Sequence, residues 1–309
     1  MVRKIRQFIW FVVLLVPAQK AIGQVPDTVY LPAVIYLDSF TVQDVGTGFS
    51  VSDFIDYVKA DTTFYEAFRN LRRINYHSSA TARFFDDDHL ATASYSNRTF
   101  QHVENNCRWM DFLFEASTGD FFDDDGEMNY YTSRMFSYIF LYHDTICNKI
   151  VETDNNLGTD DKLEKHKEQL KVLIFNPGQP VEGIPIIKNK MAIFDPEMIK
   201  YYDYSITQKR FDTGVDCYVF TVKKKQEVKE DDVVIKELVT WFDKKTLDIV
   251  SRQYSLGYHA SIFDFDVTMN VRLTSIDGYR VPEYIYYNGF WDVPTKKPET
   301  GSVQISVWK

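Results

Sequence analysis

Residues 263–274 read FDFDVTMNVRLT. Apolar and polar side chains alternate strictly through this stretch, which is the period of a β-strand with one apolar and one polar face. At about 3.3 Å per residue, a strand of this length spans roughly 40 Å. Such long strands are typical of large, curved antiparallel sheets or barrels. We therefore expect an α+β protein built on a large curved antiparallel sheet.

The apolar face of this strand is the candidate ligand-binding surface. Left exposed, its side chains would form a patch too large for a soluble monomer, so something must cover them. Helices of the same chain could cover them completely, or an acyl chain could complete a partial cover. The candidates for lipid contact are Phe263, Phe265, Val267, Met269, Val271 and Leu273.

Strands and turns are also predicted on both sides of this stretch. The dipeptide Asp277-Gly278 predicts a tight turn into a strand at 281–287, and alternating valine and isoleucine at 303–307 predict a last strand. A charged run at 223–232 predicts a hairpin loop. Residues 75–104 predict an earlier hairpin with three aspartates at its tip.

Helices are predicted on the N-terminal side of that hairpin. Apolar spacing over residues 52–73 favours two short helices or one kinked helix, with Ser52 as a cap and Thr63-x-x-Glu66 as a capping box. Asp195-Pro196 predicts another helix start, because proline is favoured at the first helical position. Residues 107–196 are expected to form an insertion, with an exposed charged stretch at 154–168.

The N-terminus predicts export. Cations at positions 3, 4 and 6 precede an apolar run at 8–16, and residues 21–23 (AIG) match the small-x-small pattern of a signal peptidase site. The apolar run is well short of the roughly 20 residues of a spanning helix, and no later segment is long and apolar enough to span a bilayer. We expect cleavage between Gly23 and Gln24, leaving residues 24–309 as a single periplasmic or secreted domain.

Charge and cysteine content narrow the partners and the compartment. The full chain has a formal net charge of −9, and the leader holds four cations and no acid, so the mature chain has −13. This balance disfavours nucleic acid and anionic lipid surfaces as partners. Cys217 lies in a strand-like apolar run and is expected to be buried. Cys107 and Cys147 are then the expected disulfide pair.

Catalytic and metal-binding motifs are missing from the sequence. There is no GxSxG elbow, no HExxH and no CxxC pair, and the histidines are scattered. The acidic run at 123–127 does not fit an EF-hand loop, because Phe121 takes the first ligand position and Thr132 the place of the bidentate glutamate. We expect no cofactor, no metal and no enzymatic activity. Paired catalytic carboxylates have no spacing signature, so an undetected hydrolase stays an alternative.

Residues 239–291 resemble the LolA-like family of periplasmic lipoprotein carriers and the outer-membrane lipoprotein-sorting proteins. The matching features are the aromatic strand and acid-Lys-Lys-Thr turn in TWFDKKTLDIVSRQY, the long alternating strand, and the turn DGYRVPEYIYY. The resemblance covers about a third of the chain. It implies an unclosed barrel with helices over its mouth that holds acyl chains inside.

Besides the hydrolase, the sequence therefore leaves two candidate functions. The first is a non-enzymatic envelope carrier or sensor for a lipid or a lipoprotein acyl chain, and the second is an envelope structural or protein-interaction module without a ligand. An apolar concavity would favour the first and a fully packed interior the second. A buried cluster of perturbed acids would favour the hydrolase.

Overall fold

The computed structural model describes residues 35–36, 51–147, 174–178, 187, 190–260, 263–292 and 297–309. The predicted leader with its cleavage site and the charged stretch at 154–168 lie outside these residues. Residues 33–309 belong to one compact unit. Within the described ranges, no helix combines the length and the apolar character needed to cross a membrane.

The strands form one antiparallel sheet. In chain order they are β1 (Ile35–Tyr36), β2 (Tyr76–Phe85), β3 (Ala91–Glu104), β4 (Cys107–Gly119), β5 (Ile146–Cys147), β6 (Tyr202–Arg210), β7 (Asp216–Lys224), β8 (Ile235–Asp243), β9 (Ile249–Ala260), β10 (Phe263–Ile276), β11 (Tyr279–Asp292) and β12 (Glu299–Trp308). Their order across the sheet is β1-β6-β7-β8-β9-β10-β11-β12-β2-β3-β4-β5. Its two ends do not pair with each other in the described chain, which confirms the predicted large, unclosed antiparallel sheet.

The helices in the described part are few and short. They are α1 (Val51–Ala60), α2 (Thr63–Asn70) and α3 (Tyr131–Phe140), with single 3-10 turns at Leu71–Arg73, Ile199–Tyr201 and Glu230–Asp232. The two helices predicted over 52–73 are confirmed. They pack on one face of the sheet, which we call the inner face. Phe54 of α1, for example, lies edge-on against Phe242 of β8, with the ring centroids 5.2 Å apart.

Three local helix predictions are wrong. Ser52 is not an N-cap, because α1 begins one residue earlier, at Val51. Thr63 is not an N-cap, because it lies inside α2, and the Asp61 carboxylate accepts hydrogen bonds from its N–H at 3.2 Å and its hydroxyl at 2.6 Å. Asp195 does not start an α-helix. Its carboxylate accepts the N–H of Glu197 at 2.9 Å, a local turn that competes with helix formation. Only one 3-10 turn then fits before β6 begins at Tyr202.

The sequence-predicted strand is β10, and protein side chains cover its inner face. Phe265 stacks on Trp291 of β11 with ring centroids 5.0 Å apart, and the Tyr254 hydroxyl of β9 contacts the Met269 sulfur at 3.0 Å. The side chain of Phe263 lies outside the described part. The other candidates are all buried: Phe265, Val267, Met269, Val271 and Leu273. This part of the inner face is therefore packed core.

The β10–β11 hairpin has the tight turn that the sequence predicts. Asp277 and Gly278 have φ values of 52° and 83°. Two consecutive left-handed residues are what a two-residue type I′ turn requires, and Asp-Gly is a favoured pair for it. The turn sets Ile276 opposite Tyr279, and a register shift between Arg272 and Leu273 then changes the pairing for the long stretch that follows.

Residues 107–196 contribute regular structure to the sheet through β4 and β5. A disulfide joins Cys107 to Cys147, which lie directly opposite each other in the β4–β5 pair. This is the pairing that the sequence favours. Cys217 is buried and has a free thiol. A disulfide is expected in an oxidising compartment.

We expect Phe265→Arg to unfold the protein, because it places an unpaired charge in a site with no exposed surface. The loss should exceed about 4 kcal/mol. Circular dichroism during denaturant titration measures it. The matched control is Thr268→Arg on the exposed face of the same strand, with an expected change within about 0.5 kcal/mol. A folded Phe265→Arg variant of normal stability would contradict the packed-core assignment.

Candidate functional site

The candidate functional site is a pocket between the inner face of the sheet and α3. Its floor lies on β12, β2 and β3, and its roof includes Phe136 and Phe140 of α3. The pocket exists because Ala80 and Ala82 follow each other on the inner face of β2, where larger residues would fill the space. In the sheet register, Ala82 lies between Val303 of β12 and Tyr95 of β3.

The pocket is apolar and small. Its volume is about 40 Å³. Cavities of roughly 150 Å³ accept benzene, whereas this volume suits a few water molecules at most. Its lining contains no carboxylate, imidazole or thiol group. The pocket can therefore bind apolar groups, but a chain of several methylenes enters only if α3 shifts.

One buried polar group of the pocket, the Ser133 hydroxyl, is unsatisfied among the described residues. Ser133 of α3 is 5% exposed and lines the pocket, and its hydroxyl oxygen has no hydrogen-bond partner in the structure. Buried hydroxyls are normally paired with protein or water. A guest in the pocket would therefore meet an available donor and acceptor at Ser133.

A buried carboxylate fixes the start of α3. Glu299 of β12 accepts the backbone N–H groups of Tyr131 and Thr132, each at 2.7 Å and each on a different carboxylate oxygen. The first N–H groups of a helix have no partner within the helix, and its N-terminus attracts negative charge. Burial nevertheless raises the pKa of Glu299, although its bonds to Thr132 and Tyr131 and the Arg134 cation favour the charged form.

Aromatic contacts hold the rest of α3 against the sheet. Phe136 packs edge-on against Tyr287 of β11 at 5.2 Å, and the Tyr287 hydroxyl lies 3.4 Å from the Thr132 hydroxyl. Trp291 donates its indole N–H to the same Tyr287 oxygen. Phe140 packs edge-on against Phe68 of α2, with the ring centroids 6.4 Å apart. The roof of the pocket is thus attached by one buried carboxylate and a few ring contacts.

The sequence-predicted site residues do not line this pocket. The six apolar candidates belong to β10, whereas the pocket lies on β12, β2, β3 and α3. A ligand contact at β10 stays a prediction. Sequence reasoning missed the pocket, although the small residues of the SSATA stretch in β2 were a readable signal. Among the described residues, no group of three or more histidine, cysteine or acidic side chains is placed to hold a metal ion.

Comparisons with known proteins add two solved structures. No family model and no curated protein matches the chain. A DUF1329 family protein from Desulfovibrio piger is 11% identical and has a TM-score of 0.25, over 80% of this chain and 92% of that one. An outer membrane lipoprotein-sorting protein domain from Vibrio parahaemolyticus is 9% identical and has a TM-score of 0.27, over 79% of this chain and 89% of that one.

The second structure carries the family name of the sequence resemblance. At these TM-scores the likeness is too small to support a function, which has to come from this chain's own geometry.

Glu299 gives a pH-dependent prediction. Because burial raises its pKa, the folded state holds this proton more tightly than the unfolded state. The free energy of unfolding should therefore fall as the pH rises from the ordinary carboxyl value of about 4.3 through the higher folded-state pKa. Glu299→Gln should remove this contribution. Urea titrations across that pH range, compared with the exposed control Glu283→Gln, measure it. A contribution of opposite sign would contradict the burial argument.

Proposed function

We propose that the protein is an exported, non-enzymatic envelope protein that binds the acyl chain of a lipid or lipoprotein under α3. The observation that carries this proposal is the apolar pocket between the inner face of the sheet and α3. Ligand sites are typically concave and mostly apolar, with a few polar groups. In this pocket, Ser133 and Asn97 are such polar groups. Because the lining has no carboxylate, imidazole or thiol group, the pocket favours binding over catalysis.

Entry of a chain would require α3 to move away from β2. Each buried methylene contributes about 0.8 kcal/mol, so several of them offset the loss of a few ring contacts. Phe136 and Phe140 lie on the pocket side of α3 and would repack against the guest. The unpartnered Ser133 hydroxyl would gain a hydrogen-bond partner in a bound ester or water.

Export to the periplasm or the cell exterior is part of the proposal. The charged, apolar and small-residue order of residues 1–23 supports it. The Cys107–Cys147 disulfide supports it independently, because such bonds persist in oxidising compartments.

Ala82→Leu tests the acyl-chain proposal. The added carbons fill the pocket from its floor, so co-purifying lipid should be lost while the fold is kept, at a cost below about 3 kcal/mol. Native mass spectrometry and lipid extraction measure occupancy. Ser302→Leu is the control, because Ser302 lies on β12 opposite Arg83 and faces away from the pocket. Equal lipid in the Ala82→Leu and wild-type proteins, or none in wild type, would contradict the proposal.

A second candidate function is an envelope interaction module that uses the outer edge of β4. In the described chain, β5 pairs only with Cys107 and Arg108, so β4 has no partner on this edge from Asp111 to Gly119. Leu113 and Phe114 on this segment are 61% and 51% exposed. Unpaired edge strands recruit further strands, and exposed apolar residues favour contact.

Crosslinking tests this second function. A photoreactive residue at position 113 should give one discrete adduct in the cell envelope, because the edge would be covered by a partner. The control is the same residue at position 286, where Tyr286 is also 40% exposed but lies within the sheet rather than at its edge. Absence of an adduct at 113, or the same adducts at both positions, would remove the interaction module.

A further inference from the structure

Arg108 of β4 is a buried cation that has no counter-ion among the described residues. It is 5% exposed, and among the described residues no carboxylate lies within ion-pair distance of it. Its Nε–H is buried and has no hydrogen-bond partner. Buried charges in proteins are normally paired, because leaving water costs far more than an isolated charge regains.

The other buried arginine of the inner face shows the usual arrangement. Arg252 of β9 lies 3.8 Å from the Asp61 carboxylate and donates its Nε–H to the Thr240 hydroxyl at 3.0 Å. Its guanidinium also stacks on the Phe64 ring at 4.4 Å. Arg108 has the ring contact, with Tyr142 at 4.6 Å, but neither the carboxylate nor a partner for its Nε–H.

A second unpartnered group lies beside Arg108. Tyr76 of β2 has no exposed surface, and its hydroxyl has no hydrogen-bond partner. The two side chains are close enough to influence each other electrostatically, and Arg72 adds a further positive charge nearby. Burial lowers the pKa of Arg108, and Arg72 lowers it further. Burial likewise raises the pKa of Tyr76, so its hydroxyl remains a donor.

The neighbouring polar groups make hydrogen bonds of their own. Tyr142 donates its hydroxyl to the Gln101 side-chain oxygen at 2.5 Å. Gln101 in turn donates to the carbonyl oxygens of Leu71 and Ile74, at 2.6 and 2.7 Å. The groups still lacking a partner are therefore the Arg108 Nε–H and the Tyr76 hydroxyl. Both call for an acceptor, and the positive charge of Arg108 favours an anionic one.

The position of this pair relates it to the pocket. Tyr76 and Ala80 lie on the same strand and on the same inner face, four residues apart, which is about 13 Å. Tyr142 directly follows Leu141, which lines the pocket. An extended molecule on the inner face of β2 would reach both places, with its apolar part over Ala80 and its polar end at Arg108.

We propose that Arg108 and Tyr76 form a binding site for a carboxylate or phosphate group, which is the head group of the amphiphile whose acyl chain occupies the pocket under α3. This assignment rests on the proposed function. The ligand class is then an anionic amphiphile, such as a fatty acid or an acidic lipid, rather than a neutral one. Arg108 contributes charge and its Nε–H, and Tyr76 contributes a hydroxyl donor.

Calorimetric titration of the purified protein with dodecanoate, dodecanol and inorganic phosphate tests the site. Dodecanoate should bind at least tenfold more tightly than dodecanol, since hydrogen bonds to charged groups contribute about that much. Arg108→Met and Tyr76→Phe should each weaken dodecanoate binding roughly tenfold or more and leave dodecanol binding unchanged.

Tyr202→Phe is the matched control, because the Tyr202 hydroxyl of β6 is also buried and unpartnered. It should leave both affinities unchanged. Tyr76→Phe should keep the wild-type melting temperature, since no hydrogen bond is lost, so it decides the question even if Arg108→Met fails to fold.

Each outcome separates the site from the function. Equal affinity for dodecanoate and dodecanol in wild type, with no effect of Tyr76→Phe, would overturn the head-group site and leave the acyl-chain function standing. Binding of neither amphiphile would overturn both. If phosphate alone bound as tightly as dodecanoate, and Tyr76→Phe weakened it, the anion site would be supported and its assignment to a lipid head group overturned.

Discussion

Covering the inner face of the sheet is the constraint on which the rest of the structure depends. A long unclosed sheet with alternating strands exposes a continuous apolar surface unless other elements lie over it. Over β10 the cover is complete, since Val267, Met269 and Val271 have no exposed surface. Over β2 it is incomplete, because Ala80 and Ala82 are too short to reach α3. The pocket is therefore the place where the cover of an otherwise packed face has a gap.

A single buried carboxylate holds the start of the helix that forms the roof over this gap. Glu299 reaches across from β12 to a helix start 167 residues away in the chain and satisfies two N–H groups that a helix cannot satisfy itself. Burial opposes the charge of Glu299, and the hydrogen bonds favour it. The position of α3 therefore depends on a carboxylate whose charge is opposed by burial and favoured by its hydrogen bonds.

Burial creates the same need for a counter-ion at both buried arginines, but the described residues supply one only to Arg252. Arg252 has a carboxylate and a hydroxyl from its own chain, so its site is complete without a guest. Arg108 contacts the aromatic ring of Tyr142 but has no counter-ion among the described residues. The nearby Tyr76 hydroxyl has no hydrogen-bond partner among them either. Both pairs lie on the inner face. The apolar pocket over Ala80 and Ala82 of β2 and the Arg108 cation of β4 lie on the same inner face.

The sequence by itself determined the features that depend on neighbours in the chain. Period-two alternation predicted β10, and Asp277-Gly278 predicted its turn, because strand faces and turn conformations follow from local residue order. A local prediction also failed at Thr63, because the Asp61 carboxylate accepts the hydrogen bonds of its N–H and hydroxyl groups and Thr63 does not act as the cap. Only the tertiary structure decided that α3 forms the roof, that Glu299 caps it and that Arg108 is buried without a carboxylate partner among the described residues. These contacts join residues far apart in sequence, and such pairs leave no periodic pattern to read.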